Sequence, residues 1–398
     1  MSKIKHAFVV PLIGGQALGQ ADALGSPPLF MQSFSAFAKN DQHIRAWWPK
    51  VPFQVLDEED SIPVAEPVDV VGMTPPCAGL SSLSPTSHAD SAVNDWMYRA
   101  SEHVLKNLAP RVAWGENAPA LSSDKGRPVA LKLREIGRRY GYTFSLYRTK
   151  SALHGNPQVR QRTFYFFWKE KDQVPALPWI DKGFTPIEEF LSRSKESQDP
   201  NSEIFTHEEQ PSSMPIYRYI LHRLGVDHAT FIREKIDKTT IMSQFLMSSG
   251  WIDDAIRHLT ELGHERDARR VSFWKKKLGM KMGIMDRYLI LPKGNIGAFI
   301  GQLTYALAHP VEDRFLSIRE MEDLMGMPQN FTLINPRRNI HHLTQNVPVG
   351  TARDMGLMIK DYLAGKLSMV PITDELPIFD NMRRQMVGLV TKKERYFF

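Results

Sequence analysis

Short apolar and β-branched runs alternate with longer amphipathic stretches through the first 168 residues, and this alternation restricts the fold more than any other feature of the chain. Strand-like runs occur at 7–10, 53–56, 68–71, 112–114, 143–147 and 163–167, and helix-like stretches at 36–47, 92–107 and 130–140. Strands that alternate with helices predict an α/β fold, a doubly wound parallel sheet of Rossmann-like type with helices on both faces. In such a sheet the chemistry gathers outside the carboxyl ends of the strands.

The character changes after residue 168. Residues 169–215 are rich in proline, serine, lysine and glutamate and read as loop and linker. From 216 to about 305 the pattern is helical and basic, with helices expected over 239–262 and 265–278 and a short apolar run at 288–291. Arg266, Arg269, Arg270, Lys275, Lys276, Lys277, Lys281 and Arg287 cluster there around Trp274. His309-Pro310 begins a return segment, in which Ser317 and Glu320 have the spacing of a capping box and 351–367 reads as a closing helix. The expected organisation is a first part over 1–168, an inserted and mostly helical second domain over 169–308, and a return over 309–398 that completes the first part.

With 398 residues, 42% of them hydrophobic, the chain can bury a sizeable core and form more than one domain. No stretch approaches twenty uninterrupted apolar residues, and the N-terminus has no basic segment followed by an apolar core, so a cytoplasmic protein without a membrane partner is expected. The formal charge of +6 favours a polyanionic partner.

Cys77 is the only cysteine. It can form no internal disulfide and no four-cysteine zinc site, so no metal is expected and a chemical role would be that of a nucleophile. It follows an apolar strand and two prolines in Val70-Val-Gly-Met-Thr-Pro-Pro-Cys77. Glu116-Asn117 ends another strand-like run, where apolar neighbours raise a carboxyl pKa towards neutrality. Arg160 and Arg162 alternate at period two in Gln158-Val-Arg-Gln-Arg162, which puts both on one strand face, able to grip a carboxylate or carbonyl oxygen.

In order, Pro-Pro-Cys, Glu-Asn, Gln-x-Arg-x-Arg, the Arg319-Glu320 to Gly326-Met-Pro328 segment and Asn346-Val-Pro-Val349 resemble blocks of the DNA cytosine-5 methyltransferase family. The likeness runs from about residue 8 to 365 and omits the middle, whose position is that of a target recognition region. It implies that Cys77 adds to carbon 6 of a flipped cytosine in double-stranded DNA. Glu116 and Arg162 would then stabilise the activated ring while a methyl group passes from S-adenosylmethionine to carbon 5. Arg160, Gln158 and Asn117 would hold the surrounding loops, and a monomeric enzyme of a bacterium or phage-infected cell is expected.

At the cofactor end the resemblance assigns Val10, Gly14, Gly15, Gly19, Asp57, Pro76, Gln345 and Asn346. Several of these positions depart from the family pattern. The acidic start of the first block falls on Phe8, the phenylalanine expected against adenine on Val10, and the first glycine on Leu12. The acidic residue expected at the ribose falls nearest Ser35 or Ala36. Asp57, with Asp60 as another register, matches the acidic residue expected at the adenine amino group. Gln345 stands where the family has asparagine, and Asn346 where it has a small residue. These departures keep open a modified sulfonium cofactor and a nucleic-acid-binding protein that has lost the reaction, and an RNA-directed enzyme of the same fold is a third alternative.

Overall fold

The computed structural model describes residues 3–60, 66–76, 79–80, 88–193, 204–282, 284, 286, 288–300 and 305–389. Cys77 and the alternative carboxylate's neighbours at 61–65 lie outside them, as does Arg287. Among the described residues nine strands form the central sheet. They are β1 (His6–Val9), β2 (Met31–Ser33), β3 (Phe53–Val55), β4 (Val70–Met73), β5 (Val112–Asn117), β6 (Thr143–Lys150), β7 (Gln161–Trp168), β8 (Leu376–Asp380) and β9 (Gln385–Leu389). Their spatial order is β9-β8-β6-β7-β5-β4-β1-β2-β3.

Strands β3 to β1, β4 and β5 run parallel, as does β8 against β6. β7 runs antiparallel to both β5 and β6, and β9 antiparallel to β8, so the sheet is mixed where the sequence predicts a parallel one. The reason is the length of the connection: only residues 151–160 join β6 to β7, too few for the helical crossover that a parallel return requires. The reversal has a consequence for function. It carries the start of β7, with Arg162, to the same edge of the sheet as the end of β5, with Glu116.

The central strands β1, β4 and β5 are buried along their whole length, which explains their continuous apolar runs. One face is covered by α3 (Asp95–His103) and α4 (Arg127–Arg139), whose buried Met97, Ala100, Val129, Leu133 and Ile136 join the core there. On the other face α1 (Gly15–Leu24) packs against a late helix, Val349–Leu363. A second helix, α2 (Ala38–Trp47), lies between β2 and β3.

Residues 216–315 contribute to a hydrophobic cluster of their own, centred on Tyr217, Ile220, Phe231, Leu246, Leu259, Val271 and Trp274. The helix expected over 239–262 is two helices, Met242–Ser248 and α6 (Ile252–Glu261), because Gly250 between them takes a left-handed φ of 73°. With α5 (Pro215–Leu224) and α7 (Glu265–Gly279) they make up a helical bundle. The stretch 169–215 is not all linker: it pairs Gln173–Pro175 with Met369–Pro371 and forms a short helix at Ile187–Ser192. In the return segment, α8 (Ile318–Leu324) starts with the capping box formed by Ser317 and Glu320, and Val349–Leu363 is α9. Among the described residues no helix is long and apolar enough to cross a membrane.

Candidate active site

The carboxyl ends of β1 to β5 and the amino end of β7 meet along one edge of the sheet. Glu116, next to last in β5, is buried, and the Arg162 side chain pairs with it through Nε. Burial pushes the Glu116 carboxyl above the ordinary carboxylate range, against the opposing charges of Arg162 and Arg160. The group is therefore suited to holding a proton closer to neutrality than a solvated carboxylate. Beneath it, the ring of Tyr165 lies over Gly115, where a Cβ would come within 2.3 Å of the phenol. Burial, with the charge of Glu116, drives the Tyr165 phenol well above its usual range, so it stays neutral.

Asn117 ties this strand end to the loop carrying the lone thiol, its Nδ2 donating to the Pro76 carbonyl at 3.4 Å. Pro76 immediately precedes Cys77 in the chain, and Cys77 itself lies outside the described residues. On the same loop the Thr74 hydroxyl donates to Gln16 of α1 at 3.1 Å.

Arg160 and Arg162 part company. Arg162 faces Glu116, whereas Arg160 donates from Nη1 to the Phe299 carbonyl and from Nη2 to the Thr344 carbonyl, both at 2.8 Å. Gln158 accepts from the Phe299 N–H at 3.0 Å and donates to the Met325 sulfur at 3.4 Å. These two side chains therefore join residues 158–160 to Phe299, Met325 and Thr344, from 139 to 184 residues further on.

The β1–α1 turn is unusually bent. Val10 and Leu12 have φ of 54° and 53°, a left-handed conformation that a β-branched residue rarely adopts, and Gly14 has φ 102°. Hydrogen bonds hold the turn: Val10 N–H to the Gln32 carbonyl at 2.8 Å, Leu12 N–H to Asp41 Oδ1 at 3.0 Å, and Gly14 N–H to the Pro11 carbonyl at 3.0 Å. Asp41 is buried, and burial pushes its carboxyl up to about 7, against the Ser33 hydroxyl, the Leu12 N–H and the Arg45 charge. Nothing in the sequence separates Asp41 from a surface aspartate on an amphipathic helix.

Gly15 and Gly19 permit close approach of the return segment. A Cβ on Gly15 would lie 2.2 Å from the Val347 carbonyl, and one on Gly19 2.6 Å from Ala352 and Arg353 of α9. Asn346 accepts from the Gly15 N–H at 2.8 Å, while Gln345 accepts from Asn40 at 3.0 Å on the surface. Gly14 abuts Ile44 of α2, and Val10 is buried in the core.

At the tips of β2 and β3, Asp57 accepts from Ser35 N–H at 2.7 Å and from the Ser35 hydroxyl at 2.9 Å. Beside them Phe34 and Phe37 both pack on Trp96, with ring centroids 5.2 and 4.9 Å from it. The Arg99 guanidinium lies 4.5 Å from the Trp96 ring centroid and 5.1 Å from that of Phe34. Nothing in the sequence points to this cluster, because residues 92–107 show only the period of an amphipathic helix. Among the described residues no group of three or more histidine, cysteine, aspartate or glutamate side chains is placed to hold a metal ion.

A profile of C-5 cytosine-specific DNA methylases matches residues 34–360, from the tip of β2 into α9. The chain belongs to that family. It is a DNA (cytosine-5)-methyltransferase, and the family's methyl donor is S-adenosylmethionine. Solved structures agree in fold. A prophage-encoded protein of E. coli assigned as a DNA modification methyltransferase aligns over 91% of this chain and 99% of its own, with 15% identity and a TM-score of 0.54. The Entamoeba histolytica methyltransferase EhMeth aligns over 91% and 99%, at 12% identity and a TM-score of 0.52. The S. pombe Dnmt2 methyltransferase aligns over 90% and 99%, at 12% identity and a TM-score of 0.50. No curated protein matches the sequence.

The residues at this edge of the DNA methyltransferase fit the adenosine half of S-adenosylmethionine. Asp57 has acceptor capacity left, beyond the two hydrogen bonds from Ser35, for a hydroxyl or amine.

Proposed function

We propose that Cys77, Glu116 and Arg162 carry out the methyl transfer on a cytosine flipped out of duplex DNA, with Arg160 holding the loops around them. The observation that carries this reading is the buried Glu116–Arg162 pair, joined through Asn117 to the residue before the lone thiol.

The cytosine ring is a poor nucleophile at carbon 5. The Cys77 thiolate adds to carbon 6, and the ring's electrons move towards carbon 5 and nitrogen 3. Glu116, holding its proton, donates to nitrogen 3 and limits the charge that develops there. Arg162 orients Glu116 and leaves guanidinium N–H groups to donate to the base's carbonyl oxygen. When bound, S-adenosylmethionine supplies an electrophilic methyl group to carbon 5. A base then takes the carbon 5 proton, the carbon 6 to sulfur bond breaks, Cys77 leaves as a thiolate, and nitrogen 3 returns its proton to Glu116.

Duplex DNA as the substrate is supported by α7. Its exposed side bears Arg266, Arg269 and Lys276 around the half-exposed Phe273, with Ala268, Val271 and Trp274 buried behind. Arg270 and Lys275 are instead paired with Asp286 and Asp253. Such a side meets phosphates and positions the duplex without reading it. Residues 169–308 would include the recognition region, and the enzyme would act as a monomer.

Mass spectrometry of nucleosides from cells expressing the protein tests the reading. A rise of 5-methylcytosine in DNA, lost with Cys77→Ser, is expected. A different 5-substituent would favour a modified sulfonium donor. Methylation confined to RNA would overturn the DNA assignment, and no modified base at all would favour a binding protein.

A further inference from the structure

The missing ribose-side carboxylate leaves a question about this chain's own residues, and the tips of β2 and β3 answer it. The parallel register pairs Ser33 with Val55, so two residues further on Ser35 and Asp57 stand side by side. Ser35 is the position nearest to where the family pattern expects the carboxylate. Its N–H and hydroxyl both donate to Asp57, one to each oxygen, at 2.7 and 2.9 Å. We infer that the cofactor's ribose hydroxyls are received by Asp57, and that Ser35 is the positioning residue that holds the Asp57 carboxylate where the absent acidic side chain would have been.

The chemistry supports this relocation. An ionised carboxylate has about four acceptor positions; Ser35 occupies two and the Asp57 N–H also donates towards the group, which leaves room for a ribose hydroxyl. Although partial burial works against it, the Ser35 N–H and hydroxyl hold Asp57 below the ordinary carboxylate range, and Arg99 adds to their effect. The group is therefore charged at neutral pH. Arg99 is itself fixed over the Phe34 and Trp96 rings, so the site has a rigid floor. A glutamate at position 35, by contrast, would set a second carboxylate against Asp57.

The inference rests on S-adenosylmethionine being the donor, and its test separates the two ideas. Calorimetry measures the binding of S-adenosylhomocysteine, its 2′-deoxy and 3′-deoxy analogues, and S-inosylhomocysteine, which lacks the 6-amino group. The native protein is expected to favour the ribose form over at least one deoxy analogue by about tenfold or more, as for hydrogen bonds to a charged group. Asp57→Asn should reduce that ratio to about twofold, Ser35→Ala should lower it part-way, and Ser35→Thr should preserve it. The penalty for the inosyl analogue should stay the same in all variants.

An unchanged ribose ratio in Asp57→Asn, or a reduced inosyl penalty in its place, would overturn the inference and leave the donor assignment standing. Absence of S-adenosylhomocysteine binding to the native protein would overturn both. Melting temperatures show whether the variants fold, and the ratios compare ligands on one protein, so a purely structural role for Ser35 would not move them.

Discussion

Asp41→Asn should remove a specific part of the protein's pH dependence. Asp41 is only 1% exposed and receives the Leu12 N–H at 3.0 Å, so it is buried beneath the turn that leads into α1. Burial raises its carboxyl from 3.8 to about 7, which means that the folded state keeps a proton that the unfolded state releases. The stabilising contribution is then fully present below pH 3.8 and is lost as the pH rises through about 7. A displacement of that size corresponds to about 4 kcal/mol, of which roughly 3 kcal/mol falls between pH 5 and 8. Asparagine has the same shape, keeps an acceptor for the Leu12 N–H and does not ionise. Urea unfolding of both proteins between pH 5 and 8 should show the variant gaining roughly 3 kcal/mol on the native protein as the pH rises. Parallel stability curves, with a constant difference at every pH, would refute the reasoning.

Gly15→Ala puts a methyl group 2.2 Å from the Val347 carbonyl and disturbs the Asn346 hydrogen bond, and should cost about 3 kcal/mol in urea unfolding. Gly25→Ala, with nothing within 4 Å but a φ of 77°, should cost only about 1 kcal/mol. Glu116→Gln should lower kcat by about 10²- to 10⁴-fold. Because the native carboxyl is raised by burial, kcat should fall with increasing pH as Glu116 loses its proton, and the variant's profile should lack that limb.

Strands β1, β4 and β5 were legible because burial on both faces makes them continuous apolar runs. α1 carries no helical signature in the sequence: Gly-Gln-Ala-Leu-Gly-Gln-Ala-Asp-Ala-Leu is buried on nearly every side, so small residues replace an apolar stripe. β8 and β9 were missed for a different reason. β8 carries a proline within Leu-Pro-Ile-Phe-Asp, which argues against a strand from sequence, yet it joins the sheet beside β6. The reversed β7 is a matter of connection length rather than of strand composition.

At the candidate site, Glu116 and Arg162 stood out as charges at the ends of apolar runs, and the sheet brings them together. The period-two spacing of Arg160 and Arg162 predicts a shared face, and both charges act on Glu116; Arg162 pairs with it, while Arg160 donates to two distant carbonyls that no local pattern can encode. Asp41 and the Ser35–Asp57 pair escape notice for the same reason, since their partners are set by tertiary contacts.

The most direct measurement uses duplex DNA carrying 5-fluorocytosine, whose carbon 5 holds a fluorine that cannot leave as a proton does. A covalent protein–DNA adduct is expected in the presence of S-adenosylmethionine, one that peptide mass spectrometry maps to Cys77 and that Cys77→Ser abolishes. An adduct that persists in Cys77→Ser, or that maps to any other residue, would contradict Cys77 as the nucleophile.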